Sequence, residues 1–179
     1  MVDALAEVLA SQRRAEDALG ATATLRPVLA QLASVENLVK QARGPLRVAL
    51  LYVAEQWAQF SGHLCRHAGD AAGARACCAQ ALEWATELGD KSMVSTLLVS
   101  RGYMAAEAGE VGAMTGDSAA AERKLGEARD LAAALADRPH DRRPWAYWLN
   151  PAVFAKEEGI TCAHLAGAGR AGTSALLSC

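Results

Sequence analysis

The residues best equipped for chemistry are clustered in His63-Leu64-Cys65-Arg66-His67. Two histidines four apart on a helix share a face and can chelate zinc. Cys65 is two positions from each, about 160° to 200° around the helix, so it points away from the pair. No other ligand at metal-site spacing adjoins them, and Cys162 and His164 could join only through the fold. Against a metal stands the reading of Cys65 and Cys162 as small core hydrophobes. Cys77-Cys78 lacks the two-residue spacer of a redox pair, and Cys78 falls on an apolar helix position with Cys77 on the adjacent face. Cys179, the last residue of the sequence, is expected to be a free thiol.

Other catalytic patterns fail on context. Gly167-Ala168-Gly169-Arg170-Ala171-Gly172 has the letters of a dinucleotide fingerprint, but no strand precedes it and the chain ends seven residues later. No serine has the surroundings of a nucleophile elbow. The sequence therefore predicts no catalytic residues, no resident metal and no cofactor. An enzyme using the His/Cys cluster would require a bound metal.

The elements that carry these residues follow from composition. Of 179 residues, 52% are apolar, 5% aromatic and 21% charged. Roughly 40 are alanine, about three times the usual share, which favours helices and argues against a sandwich or barrel. The formal charge of −2 gives no bulk attraction for nucleic acid or an anionic membrane. No apolar run is long enough to span a bilayer, and the N-terminus lacks the pattern of a signal peptide. Five cysteines without a disulfide framework suggest a reducing, cytoplasmic setting.

Helical periodicity runs over residues 3–19 and 25–43, the second opened by Thr24 and Pro27 and ended by Gly44-Pro45. Residues 46–68 place Leu46, Leu50, Val53, Ala54, Trp57, Ala58, Leu64, Cys65 and Ala68 at the spacing of one buried face. Gly69-Asp70 stops that helix, and Asp70 can cap the next. Helices 71–88, 91–108 and about 111–136 follow, then a charged, proline-broken loop over 137–150. Asn150-Pro151 opens a helix over 151–166, and a short apolar stub ends the chain. A single domain is expected: an N-terminal hairpin (1–44), repeats (45–136), the loop, and a last incomplete unit (151–179).

Small residues recur in register. Gly62-His63-Leu64-Cys65 matches Gly102-Tyr103-Met104-Ala105 at an offset of 40, and Gly159 with Cys162 repeats the register. Gly69-Asp70 with Ala74, Cys78, Ala81 and Ala85 matches Gly116-Asp117 with Ala121, Leu125, Ala128 and Ala132 at an offset of 47. Such a pattern fits stacked helical hairpins better than a generic bundle.

These positions resemble tetratricopeptide repeats, with glycine on the first helix (Gly62) and alanine, a larger residue and alanine on the second (Ala74, Cys78, Ala81). Ala58 and Cys65 occupy the family's tryptophan and tyrosine positions, so the repeats are degenerate. Longer phrases are similar to the C-terminal part of actinobacterial helix-turn-helix transcriptional regulators of the xenobiotic-response-element class. They are Val28–Leu32, Ala42–Arg47, Trp57–Gly62, Leu82–Ala85, Gly112–Met114 and Arg143–Trp148. The resemblance implies an all-α, right-handed solenoid of TPR-like hairpins that senses a ligand or partner. The sequence begins about where that family's sensor domain begins, so by the resemblance its DNA-binding domain is not expected within residues 1–179, whether the chain is part of a longer protein or a stand-alone relative. Met114-Thr115-Gly116-Asp117 implies one repeat fewer.

By that resemblance, first helices line a concave groove. The register then assigns Gln56, Gln59, His63, Arg66 and His67 from one unit, Thr96, Tyr103 and Glu107 from the next, and Lys156 and His164 from the last. Their competing reading is an idle solvated face. Trp145, Tyr147 and Trp148 form a second candidate, or else a plug sealing the helix that follows. The expected function is a non-catalytic sensor or interaction domain for a protein, peptide or small-molecule effector. The alternative is a stand-alone scaffold or dimerisation module, a homodimer paired through its open end.

Overall fold

The computed structural model describes residues 1–107 and, beyond them, the isolated helical positions Ala152, Ala155, Lys156, Gly159, Ala163 and Ala166. All described elements are helices: α1 (Val2–Leu19), α2 (Ala21–Gln41), α3 (Gly44–His67), α4 (Ala71–Leu88) and α5 (Lys91–Glu107). Met1–Leu97 forms the body of one compact unit, and a second begins at Leu98. The six isolated positions are helical, and the rest of the helix expected over 151–166 lies outside the described residues. The expected helix near 111–136, the loop at 137–150 and the C-terminal stub lie outside the described residues.

The centre of the first unit is α3. All residues from Val53 to Gly62 are buried, nearly three turns, so neighbours enclose this helix on every side. Trp57, Leu50, Leu51 and Leu64 are its largest fully buried apolar side chains. Each contributes about 1.5–3 kcal/mol by leaving water. α2 presents Thr24, Val28, Leu32, Val35 and Val39, and α4 presents Ala74, Cys78, Ala81 and Ala85, each a stripe at three-and-four spacing. The α4 stripe coincides with the alanine register read from the sequence.

The close approach of α3 and α4 explains Gly62. A Cβ placed there would lie 3.0 Å from Cys78 Sγ and 3.3 Å from the Ala74 carbonyl oxygen. On the facing side, a Cβ on Gly73 would lie 3.1 Å from Cys65 Sγ. Glycine, alanine and cysteine are therefore what the interface admits.

Both ends of this hairpin share one device. Gly69 (φ 81°) and Gly89 (φ 69°) take the left-handed conformation that terminates α3 and α4. The next residue donates its N–H back into the finished helix, Asp70 to Cys65 O at 2.8 Å and Asp90 to Ala85 O at 2.9 Å. Each aspartate then caps the following helix, accepting from Gly73 N at 2.8 Å and from Met93 N at 3.0 Å.

The start of α2 departs from expectation. It begins at Ala21, not near residue 25, and Pro27 lies inside the helix. Gly20 (φ 82°) ends α1 and starts α2 without an intervening loop. Thr24, expected to open the helix, instead bonds back from its hydroxyl to the Gly20 and Ala21 carbonyls, each at 3.2 Å.

Candidate functional site

The polar residues of α3 gather where α1 crosses it. Arg13 of α1 is only 6% exposed. Its guanidinium donates to Gln59 Oε1 at 3.4 Å and lies 4.9 Å from the centre of the Phe60 ring. One turn on, Glu16 Oε1 is 3.7 Å from His63 Nε2. The His63 ring is stacked with Phe60 at 6.4 Å and meets His67 at 4.4 Å between centroids. Gln56 is buried, and its amide contacts Met93 Sδ of α5 at 4.0 Å. Arg13, Gln56, Gln59 and His63 therefore form a polar seam on an otherwise apolar interior.

This arrangement changes the predicted groove. Gln56, Gln59 and Thr96 are buried, not presented to an open concave surface. For Gln59 the physical reason is α1, whose Arg13 and Glu16 side chains already occupy the face of α3 that carries Gln59 and His63, whereas Gln56 is met by Met93 of α5. Thr96 turns its hydroxyl onto Ser92 O of its own helix at 3.0 Å. His63 and Arg66 are half-buried and His67 is exposed, so this end of α3 is the accessible edge. Arg66 and His67 lie within hydrogen-bond distance at 3.3 Å. Lys156 is exposed on a helical position. Tyr103 and Glu107 are on α5, but their side chains, with His164, Trp145, Tyr147 and Trp148, lie outside the described residues.

The chain matches no protein-family model, no curated protein and no solved structure.

Two buried charged residues, Arg13 of the seam and Glu55 outside it, were not singled out from the sequence. Arg13 sits four positions after Leu9, the other buried residue of α1, so its register places it on the inward face. Glu55 is fully buried and continues the row Leu51, Ala58, Gly62 on α3. Neither charge would be placed in a core by composition, since buried charge is costly unless compensated. Trp57 Nε1 and Ser61 Oγ, four apart and fully buried, have no hydrogen-bond partner among the described residues. An unsatisfied buried group costs about 1–3 kcal/mol.

Cys65 and Cys78 are buried and Cys77 half-buried, all at the contact of α3 with α4. Burial, then the neighbouring Cys65 and Cys78, pushes the Cys77 thiol up to about 12. It is held as a thiol, not as the nucleophilic thiolate. Cys65 lies on the α4 side while His63 faces α1, as their two-residue spacing requires. Among the described residues, no three His, Cys, Asp or Glu side chains are grouped so as to hold a metal ion. Nor is any described helix long and apolar enough to cross a membrane.

Proposed function

We propose that the chain is a non-catalytic ligand-sensing or protein-interaction domain of TPR-like hairpins, the effector part of a helix-turn-helix transcriptional regulator working in the cytoplasm. The observation that carries this reading is the polar seam, in which Arg13, Gln56, Gln59 and His63 bring hydrogen-bonding groups into a helical core. A pure packing face would be apolar, whereas recognition sites combine apolar walls with a few placed polar groups. The small-residue contact of α3 with α4 and the twice-used Gly-Asp punctuation support stacked hairpins. The phrases shared with the regulator class support the biological role.

An effector enters at the accessible edge formed by His63, Arg66 and His67. It favours one angle between hairpins by its different affinity for the two arrangements, and a linked DNA-binding domain reports the shift. Thermal-shift measurements with panels of short peptides and small metabolites test this reading. A compound that raises the melting temperature of the native chain, but not of His63→Ala, supports it. Equal shifts in both proteins count against the site. In a gel-shift assay the chain alone leaves DNA unshifted, consistent with its charge of −2.

A second reading, a self-associating scaffold, is favoured by one observation. Met1, Val8 and Leu19 are exposed, at 62%, 40% and 69%. Separations of seven and eleven residues are close to whole numbers of turns, so the three form one apolar stripe on α1. Light scattering without added ligand distinguishes a dimer from a monomer.

A further inference from the structure

The three helix junctions of α1 to α4 and the start of α5 do not stop their helices in the same way. Between α2 and α3, Pro45 follows Gly44 and prevents a continuous helix. After α3 and after α4, an aspartate side chain caps the next helix. Between α1 and α2 there is neither. Gly20 alone separates them, with φ 82° and no side-chain cap on the first turn of α2. Its own N–H still donates to Glu16 O at 2.8 Å, so α1 is regular up to the hinge.

A turn at one residue leaves the last carbonyls of α1 and the first N–H groups of α2 without helical partners. Rotating Gly20 to helical angles would join Val2–Leu19 to Ala21–Gln41, and those groups would pair with one another. The residues 17–24, Asp-Ala-Leu-Gly-Ala-Thr-Ala-Thr, hold no proline to oppose it. α1 is also lightly held. It buries only Leu9 and Arg13, and its contacts with α3 include Arg13 to Gln59 at 3.4 Å and Glu16 to His63 at 3.7 Å, both long.

We propose that α1 exchanges between two copies of this chain about Gly20. In the exchanged dimer α1 and α2 form one continuous helix, and Arg13 and Glu16 of one copy meet Gln59, Phe60 and His63 of the other. The contacts of the seam are reproduced in trans, so exchange costs little beyond association itself. It also gives the apolar stripe a use, because Leu19 adjoins the hinge where the two continuous helices cross. In the exchanged form each polar seam contains residues of two chains. The exchange supplies a geometry for the scaffold reading and does not depend on the sensor reading.

The test uses the full chain under reducing conditions, with light scattering across a concentration series and circular dichroism to verify helicity. Gly20→Ala disfavours the positive-φ turn and favours the continuous helix, raising the dimer association constant by on the order of tenfold or more. Adding Arg13→Glu to Gly20→Ala returns the chain to monomer, because the seat of the exchanged helix is lost. Inserting Gly-Ser-Gly after Gly20 relaxes the turn and lowers the dimer fraction below that of the native chain. Gly20→Ala no more dimeric than the native chain would overturn the exchange. So would a dimer that survives Arg13→Glu, which would leave self-association standing through another surface. Should Gly20→Ala fail to fold, the insertion decides: an unchanged dimer fraction overturns the exchange.

Discussion

Two faces of α3 are packed on opposite principles. Towards α4 the contact is made by Gly62, Gly73, Ala74, Cys78 and Ala81, small groups that bring the backbones close. Towards α1 it is made by Arg13, Glu16, Gln59, Phe60 and His63, long groups that hold the helices through guanidinium, carboxylate and ring contacts. The first contact is fixed by shape, and a Cβ added at Gly62 would crowd it. The second is polar and can be broken and remade, because water and other polar groups compete for the same partners. A molecule that needs a stable hairpin and a replaceable cover gains from keeping the two on separate faces of one helix.

Breaking the small-residue face should have the largest effect. Gly62→Val should destabilise the fold by about 2 kcal/mol through overpacking against Cys78 and the Ala74 carbonyl, read as a lower urea midpoint. On the polar face, Arg13→Ala should cost about 1 kcal/mol, the scale of its lost ring contact, in the same measurement. If the order were reversed, the contrast between the faces would fail.

The thiols sharpen the contrast chemically. Cys77 has its pKa raised from 9.0 to about 12, so the folded protein favours the neutral thiol. Its contribution to stability is intact below the ordinary thiol value and is lost as pH rises from there towards 12. Iodoacetamide at pH 8 should therefore modify Cys77 much more slowly in the native than in the urea-unfolded chain, as peptide mapping would record. The smallest effect belongs to the exposed clasp between Arg47 of α3 and Glu87 of α4. Hydrogen bonding to Arg47 holds the Glu87 carboxyl below its ordinary range. The clasp contributes above that range and fades as pH falls through the lowered value. Glu87→Gln should leave the urea midpoint at neutral pH unchanged within error, because exposed pairs are screened.

Much of the fold was legible in the sequence because it is written in local chemistry. Gly69-Asp70 marks a helix end by backbone geometry and capping and is found as expected, and Gly89-Asp90 repeats the device at the end of α4. Ala74, Cys78, Ala81 and Ala85 have their own periodicity and line the predicted face of α4. The beginning of α2 was not legible, because Thr24 and Pro27 are start signals that a preceding Gly20 made redundant. The site was harder still. The positions of Gln56 and Gln59 were found from register, but their burial depends on helices that arrive from distant parts of the chain, α5 over Gln56 and α1 over Gln59. Register along one helix says which residues share a face; it is silent on what arrives to cover that face. Arg13 shows the same limit, since a charge four residues from a core leucine is more often at the surface than beneath it.

The enclosure of α3 has a kinetic meaning. Its amides from Val53 to Gly62 belong to a helix walled in on every side, so they can meet solvent only when the unit as a whole comes apart. Those of α1 need only the release of Leu9 and Arg13. Hydrogen–deuterium exchange should consequently report two clocks on one chain, with α3 exchanging at the rate of global unfolding and α1 at the faster rate of a helix that lifts and reseats.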